Sequence, residues 1–181
     1  MGRVGKAYRR VRARLTDQPT FFSWVRDGKI AASGRPYSKS QVDWLRSNGI
    51  TAILSLTEEP LPAGWTKGIE VRHISLVDHA PLDLSKMREA ADYIASATSG
   101  GNVVLVHCLA GKGRTGSVLA AYLIAHEGMT SRKALEELRS KRPGSVERPQ
   151  EPKVIEFESE AIEGTSSRAK TQETTGRTRP T

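Results

Sequence analysis

An α/β (α+β) fold, with a central, mostly parallel sheet flanked by helices, is predicted from three observations. Short β-branched runs alternate with stretches of helical periodicity along the chain. One apolar run, Asn102 to Val106, leads through a glycine-rich loop straight into a long apolar segment, which is a strand-to-helix junction. The 181 residues, 37% of them hydrophobic, suffice for one core of ordinary size and show no internal repeat.

The elements follow in chain order. Lys29 to Ala32 and Thr51 to Leu56 read as strands, and Ser40 to Ser47 between them as a helix stopped by Asn48-Gly49. Val71 to Leu76 is a further strand. Met87, Ala90, Ala91, Ile94 and Ala95 repeat at helical spacing from Ser85 to Ala97, so one face of that helix packs on the sheet. Asn102 to Val106 is a buried strand. The helix after the loop, Thr115 to Gly128, carries Val118, Leu119, Leu123 and Ile124 nearly all round, as a central helix does. Ala134, Leu135 and Leu138 mark a surface helix ending at Pro143-Gly144, and Val154, Phe157 and Ala161 mark a last helix.

This places a folded domain at residues 20–162. Residues 1–19 form a basic arm, with Arg3, Lys6, Arg9, Arg10, Arg12 and Arg14 unopposed until Asp17. Residues 163–181 are polar and poor in aromatics and are expected to be a disordered tail. The formal charge of +8 belongs largely to these arms and names no partner by itself. The basic arm leaves three readings open: a solvated extension or frayed helix, a contact with anionic lipid or nucleic acid, or a segment resembling an organelle transit peptide. No apolar run is long enough to span a bilayer and no secretory h-region is visible. The single cysteine excludes an intramolecular disulfide and fits a reducing compartment, so a cytoplasmic location is expected.

The chemistry concentrates in the loop His107-Cys108-Leu109-Ala110-Gly111-Lys112-Gly113-Arg114-Thr115-Gly116. Its backbone N–H groups and the following helix N-terminus converge on one spot, which makes a phosphate cradle. The chain's one cysteine lies in it. A positive helix end, inward N–H dipoles and a nearby guanidinium all favour the thiolate, so Cys108 is the candidate nucleophile. Arg114, six positions on, has the planar fork that grips two phosphoryl oxygens and stabilises transition-state charge. Gly111, Gly113 and Gly116 allow the positive φ and the close backbone approach that a side chain would block, and Thr115 offers a hydroxyl to a departing thiolate. His107 orients the loop rather than transferring protons. Leu109, Ala110, Gly111, Lys112 and Gly113 complete the substrate-binding backbone. A nucleotide-binding loop would need G-x-x-x-x-G-K-[ST]; Lys112 is followed by Gly113, and Val106 stands where the first glycine belongs.

The pattern H-C-x-x-G-x-x-R-[ST], at His107, Cys108, Gly111, Arg114 and Thr115, resembles the signature of the cysteine-dependent protein tyrosine phosphatase superfamily. Phe22-Ser23-Trp24-Val25, Leu54-Ser55-Leu56-Thr57-Glu58, Val77-Asp78 and Arg142-Pro143-Gly144-Ser145-Val146-Glu147 are similar to segments of its small atypical dual-specificity members, a group with archaeal representatives. The resemblance covers about residues 20–160. It implies the dual-specificity phosphatase fold, a catalytic domain at 20–162, a cysteinyl-phosphate intermediate, a general-acid aspartate on a mobile loop, and no metal or other cofactor. The leaving oxygen needs a proton, and Asp78, thirty residues before Cys108, stands where the family's acid stands. Asp83 is its rival, better explained as a cap of the next helix.

Lys112 and His79 also resemble the phosphatase-and-tensin-type lipid phosphatases, whose loop reads A-G-K-G-R-T-G and whose acid loop carries D-H. An extra cation at the cradle would favour a phosphoinositide. Against this, Leu109 stands where those enzymes carry a second lysine, and Lys112 facing solvent is an equal reading. The expected substrate is a phosphoprotein, with phosphotyrosine first and phosphoserine or phosphothreonine next. Phosphoinositides, RNA 5′-phosphates met through the basic arm, and a catalytically silent phosphate-binding module are the alternatives. Glu58, Glu59 and Glu147 are candidates for the rim, and Gln150 for orienting the hydrolytic water.

Overall fold

The computed structural model describes residues 16–78 and 80–175, with side chains as far as Glu163. Five strands form one mixed sheet in the order β1-β2-β5-β3-β4: β1 (Ser23–Arg26), β2 (Ile30–Gly34), β3 (Ala52–Ser55), β4 (Glu70–His73) and β5 (Val104–Cys108). Only the β1–β2 pair is antiparallel; the other three pairings are parallel. The helices are α1 (Lys39–Ser47), α2 (Leu84–Ser99), α3 (Gly113–Glu127), α4 (Ser131–Lys141) and α5 (Glu151–Thr175), with a 3₁₀ turn at Arg148–Gln150. The expected sheet-and-helix architecture is observed.

Period-two alternation along β5 divides the core. Val104 and Val106 face the larger cluster with Met87, Ile94, Val118, Leu119, Leu123, Leu138 and Phe157. Leu105 faces a smaller one with Val42, Leu45, Ile50 and Ile53, closed by Phe22, Trp24, Trp44 and Trp65. Helices α2 to α5 thus cover one face, and α1 the other. Every residue of α3 from Gly113 to Ala121 is buried, since this helix packs against α2, α4 and α5 as well as the sheet. Each fully buried leucine or isoleucine there contributes about 1.5–3 kcal/mol, enough to anchor whatever the helix start carries.

Several boundaries differ from the sequence expectation; β4 ends at His73 rather than Leu76, where its register with β3 stops at Ser55. Strand β5 runs on to Cys108, because His107 and Cys108 stay in register with Ser33 and Gly34 of β2 and His107 with Ser55 of β3. Strand β1 adds a short edge, joined to β2 by a turn at Asp27-Gly28 in which Gly28 has φ +63°. Helix α5 continues past Glu163 to Thr175, so the stretch expected to be a disordered tail begins as helix. Val154 and Phe157, both fully buried, anchor the first half of this helix on the core. Residues 1–15, most of the basic arm, lie outside the described residues.

Candidate active site

The cradle is built by the turn from β5 into α3. Cys108 ends the central strand, buried at 3% exposure, and the Gly111 N–H donates to its Sγ at 3.3 Å. The loop carbonyls are occupied from outside. Leu109 O accepts from the Arg35 N–H (3.2 Å), Gly111 O from the Arg142 guanidinium (2.7 Å), and Lys112 O from the N–H groups of Gly116 (2.9 Å) and Val146 (3.4 Å). In a trans peptide the N–H points opposite to the C=O. The N–H groups of Ala110, Lys112 and Gly113 are thereby turned to the other side, and α3 starts with no side-chain cap on its own N–H groups. This inward ring of donors, with Cys108 in its floor, fits a tetrahedral oxyanion.

Of the loop glycines, only Gly111 needs a positive φ (+76°). A Cβ there would lie 2.4 Å from the Ser33 carbonyl carbon and 2.6 Å from Gly34 N, so the loop is wedged against β2. Gly113 and Gly116 serve by close approach: the Gln150 amide and Glu147 carboxylate reach to 2.5–2.6 Å of a Cβ built on Gly113, and Val146 N to 2.6 Å of one on Gly116. Phe21 and Val146, both non-glycine residues at positive φ (57° and 55°), flank the loop. Strain of this sort persists only where surrounding contacts hold it.

Arg114, in the first turn of α3, is 2% exposed. Its Nη1 donates to Leu76 O (2.7 Å) and Glu58 Oε2 (3.0 Å), and its Nη2 lies 3.1 Å from Asp78 Oδ1. Glu58 also accepts from the Asp78 backbone N–H through Oε1 at 2.8 Å. One carboxylate therefore ties the arginine to the acid loop. Partial burial pushes the Glu58 carboxyl up, but the Asp78 and Glu58 N–H groups and the Arg114 guanidinium outweigh it and hold it below the usual range. Asp83, by contrast, caps α2, accepting from the Ser85 and Lys86 N–H groups, the role its place before that helix predicts.

His107 is fully buried and its pKa is pushed down to about 3, chiefly by desolvation, with the Cys108 carbonyl opposing and the Arg35 and Arg114 charges adding. Its Nδ1–H donates to Cys108 O at 3.3 Å. A neutral ring holding the loop is what the site contains. Thr115 Oγ1 is buried with no partner among the described residues. Leu109 and Ala110 are half-buried in the loop. The Lys112 Nζ sits 5.2 Å from the Phe21 ring centroid, a cation–π contact with a residue outside the loop. His79 lies outside the described residues.

Sequence reasoning assigned no role to Arg142. Its guanidinium, 1% exposed, reaches under the cradle to Gly111 O, and the only sequence signal was a basic residue next to Pro143-Gly144. Beside the cradle a groove of about 560 Å³ runs between Ala80-Pro81 of the acid loop and Pro149, Gln150 and Pro152. Among the described residues, no cluster of three His, Cys, Asp or Glu forms a metal site. No helix among them is long and apolar enough to cross a membrane.

A mixed sheet whose central strand delivers a buried cysteine into such a loop defines the class of cysteine-dependent phosphatase folds. Residues 19–155 match the DSP-PTPase phosphatase domain of Swiss Army Knife proteins, and the chain belongs to that family, among the small atypical dual-specificity phosphatases. It is 38% identical over 104 residues to rat dual specificity protein phosphatase 12, covering 56% of this chain and 31% of the rat protein. It is 30% identical over 155 residues to the phosphatidylglycerophosphate phosphatase PTPMT2 of Arabidopsis thaliana, covering 82% of this chain and 67% of that protein. The crystal structure of Tk-PTP in the active form superposes with a TM-score of 0.69 at 32% identity, over 77% of this chain and 97% of Tk-PTP. The chain thus spans about a third of the length of the rat relative.

Proposed function

We propose that this chain is a phosphomonoesterase that removes phosphate from phosphotyrosine, and from phosphoserine and phosphothreonine, in proteins by way of a cysteinyl-phosphate. The observation that carries the reading is the junction of Cys108 under inward loop N–H groups with Arg114 and Asp78 ion-paired at 3.1 Å. In the first step the Cys108 thiolate attacks phosphorus and the P–O bond to the leaving group breaks. Arg114 turns its fork to the phosphoryl oxygens, and Asp78, protonated, gives its proton to the leaving oxygen. In the second, water attacks phosphorus, Asp78 takes its proton, and the S–P bond breaks to release phosphate. The Thr115 hydroxyl, which has no hydrogen-bond partner among the described residues, donates to the departing thiolate. Gln150 and Glu147, both packed on Gly113, orient the water. A thiolate nucleophile with no second cysteine favours a reducing compartment, and the cytoplasm is the proposed location.

A lipid phosphate is the second reading, favoured by the match to the Arabidopsis phosphatidylglycerophosphate phosphatase over 82% of this chain. The deciding experiment is phosphate release, with metal chelated, from phosphotyrosine and phosphothreonine peptides, phosphatidylglycerophosphate, phosphatidylinositol trisphosphate and 5′-triphosphate RNA. Cys108→Ser is run alongside. Peptide turnover that vanishes in Cys108→Ser is the expected result. A preference for either lipid or for RNA overturns the protein reading, and binding without turnover by the unaltered chain reduces it to a phosphate-recognition module.

A further inference from the structure

Arg142 caps the C-terminal end of α4 and turns its side chain inward. It is among the largest fully buried side chains of the described residues. The Nη1 donates to Ala32 O at 3.0 Å and to Ser23 Oγ, Nη2 donates to Gly111 O at 2.7 Å, and the Phe21 ring lies 4.4 Å from the guanidinium carbon. Nε has no partner, and no carboxylate among the described residues pairs with this arginine. A buried guanidinium without a counter-ion costs several kcal/mol, so a chain that keeps one needs it for something other than stability. Burial lowers its pKa to about 10, and the group that opposes this is Cys108.

We propose that Arg142 is a positioning residue of the phosphate cradle: its fork pins the Gly111 carbonyl outward so that the Lys112 N–H faces the phosphate, and its cation sits on the residue whose N–H donates to Cys108 Sγ. The inference rests on the phosphatase reading of the site. The Gly111–Lys112 peptide is trans, as all described peptides are, so anchoring one end of it directs the other. The neighbouring charges differ in kind. Arg114 from α3, which the substrate must claim, is held by Glu58 and Asp78; Lys112 lies on Phe21; Arg35 donates to Thr57 Oγ1 and to the carbonyls of Glu59 and Pro60; His107 is neutral; Glu147 packs on Gly113. Arg142 alone of these combines near-complete burial, the absence of a carboxylate partner and a bond to the loop backbone. Its cation is therefore spent neither on substrate nor on an acid.

The test uses the full chain with Arg142→Met and Arg142→Lys, both checked by thermal unfolding. Alkylation of Cys108 by iodoacetamide at pH 6 and pH 9, and inhibition by vanadate, read the two parts separately and require no turnover. Arg142→Met should be alkylated roughly tenfold more slowly at pH 6 and at a nearly unchanged rate at pH 9, above the range of an ordinary thiol. Arg142→Lys keeps the charge and loses the fork, so vanadate should bind roughly fivefold more weakly while alkylation at pH 6 stays near that of the unaltered chain. Wild-type alkylation at pH 6 in a folded Arg142→Met, or unweakened vanadate binding in Arg142→Lys, overturns the proposal. Should Arg142→Met fail to fold, the Arg142→Lys arm decides. Absence of turnover in the unaltered chain would sink the phosphatase reading without touching these two readouts.

Discussion

Replacing Gly111 by alanine tests the claim that the cradle is held from behind by β2. The added Cβ would sit 2.4 Å from the Ser33 carbonyl carbon and 2.5 Å from its oxygen, where ordinary contact begins near 3.4 Å. These atoms are backbone in a fully paired strand, so the loop must retreat by about 1 Å. The left-handed conformation (φ +76°) adds about 1–2 kcal/mol for a residue with a Cβ, and accommodating the overlap a further 1–3 kcal/mol. A destabilisation of about 2–5 kcal/mol follows. The larger effect is on catalysis, because a misplacement of about 1 Å costs on the order of 10²-fold. Urea unfolding followed by fluorescence and kcat/KM on p-nitrophenyl phosphate measure the two effects. An alanine variant with kcat/KM within threefold of the unaltered chain would refute the wedge.

Asp78→Asn should keep vanadate affinity and lose on the order of 10²-fold or more in kcat on a phosphopeptide, with a smaller loss on p-nitrophenyl phosphate, whose leaving group needs no proton; equal losses on both would remove Asp78 as the acid. Glu58→Gln retains an acceptor for the Asp78 N–H but loses the charge opposite Arg114, so kcat/KM should fall roughly tenfold, and a change under twofold would show that the bridge is idle. His107 is neutral when folded, with a pKa near 3, whereas the unfolded chain protonates it near 6.5. Between those values the unfolded state binds the extra proton, so stability falls as pH drops from about 6.5 toward 3, by at most about 1.4 kcal/mol per pH unit. Urea midpoints of His107→Asn should be flatter over pH 6.5 to 4.5, and parallel curves would count against a buried neutral ring.

The cradle was legible because its chemistry is local: Cys108, Gly111, Arg114 and Thr115 lie within eight consecutive positions, and the loop's strand and helix neighbours show plain periodicity. The helices came through for the same reason, α1 stopping at Asn48 and α3 at Gly128 with φ +68°. What was illegible depends on distant partners. β5 reaches Cys108 only because Ser33, Gly34 and Ser55 continue the ladder, while a histidine and a cysteine read alone look like the start of a loop. β1 has four residues and no alternation, and its one signal was the Asp27-Gly28 pair. Lys112 was read from its place in the loop, but its direction is set by Phe21, ninety-one positions earlier. Arg142 stood only within a family-like segment, and its partner, Gly111 O at 2.7 Å, lies thirty-one positions earlier.

Helices α1, α2 and α4 are capped by the side chains of Ser38, Asp83 and Thr130, yet α3, on which most of the core is packed, begins at Lys112 with no such bond. A tetrahedral anion in the cradle supplies the acceptor that these three receive from their own sequence. Occupancy and fold stability are then linked by mass action: an oxyanion at a hundred times its Kd would add about 2.7 kcal/mol. For a domain of this size that is a rise in Tm of several degrees, by roughly 2–4 °C per kcal/mol. Melting temperature thus becomes a reporter of ligand chemistry that needs no turnover and serves the Cys108→Ser chain equally well. On the proposed reaction, inorganic phosphate as product would stabilise the fold that releases it.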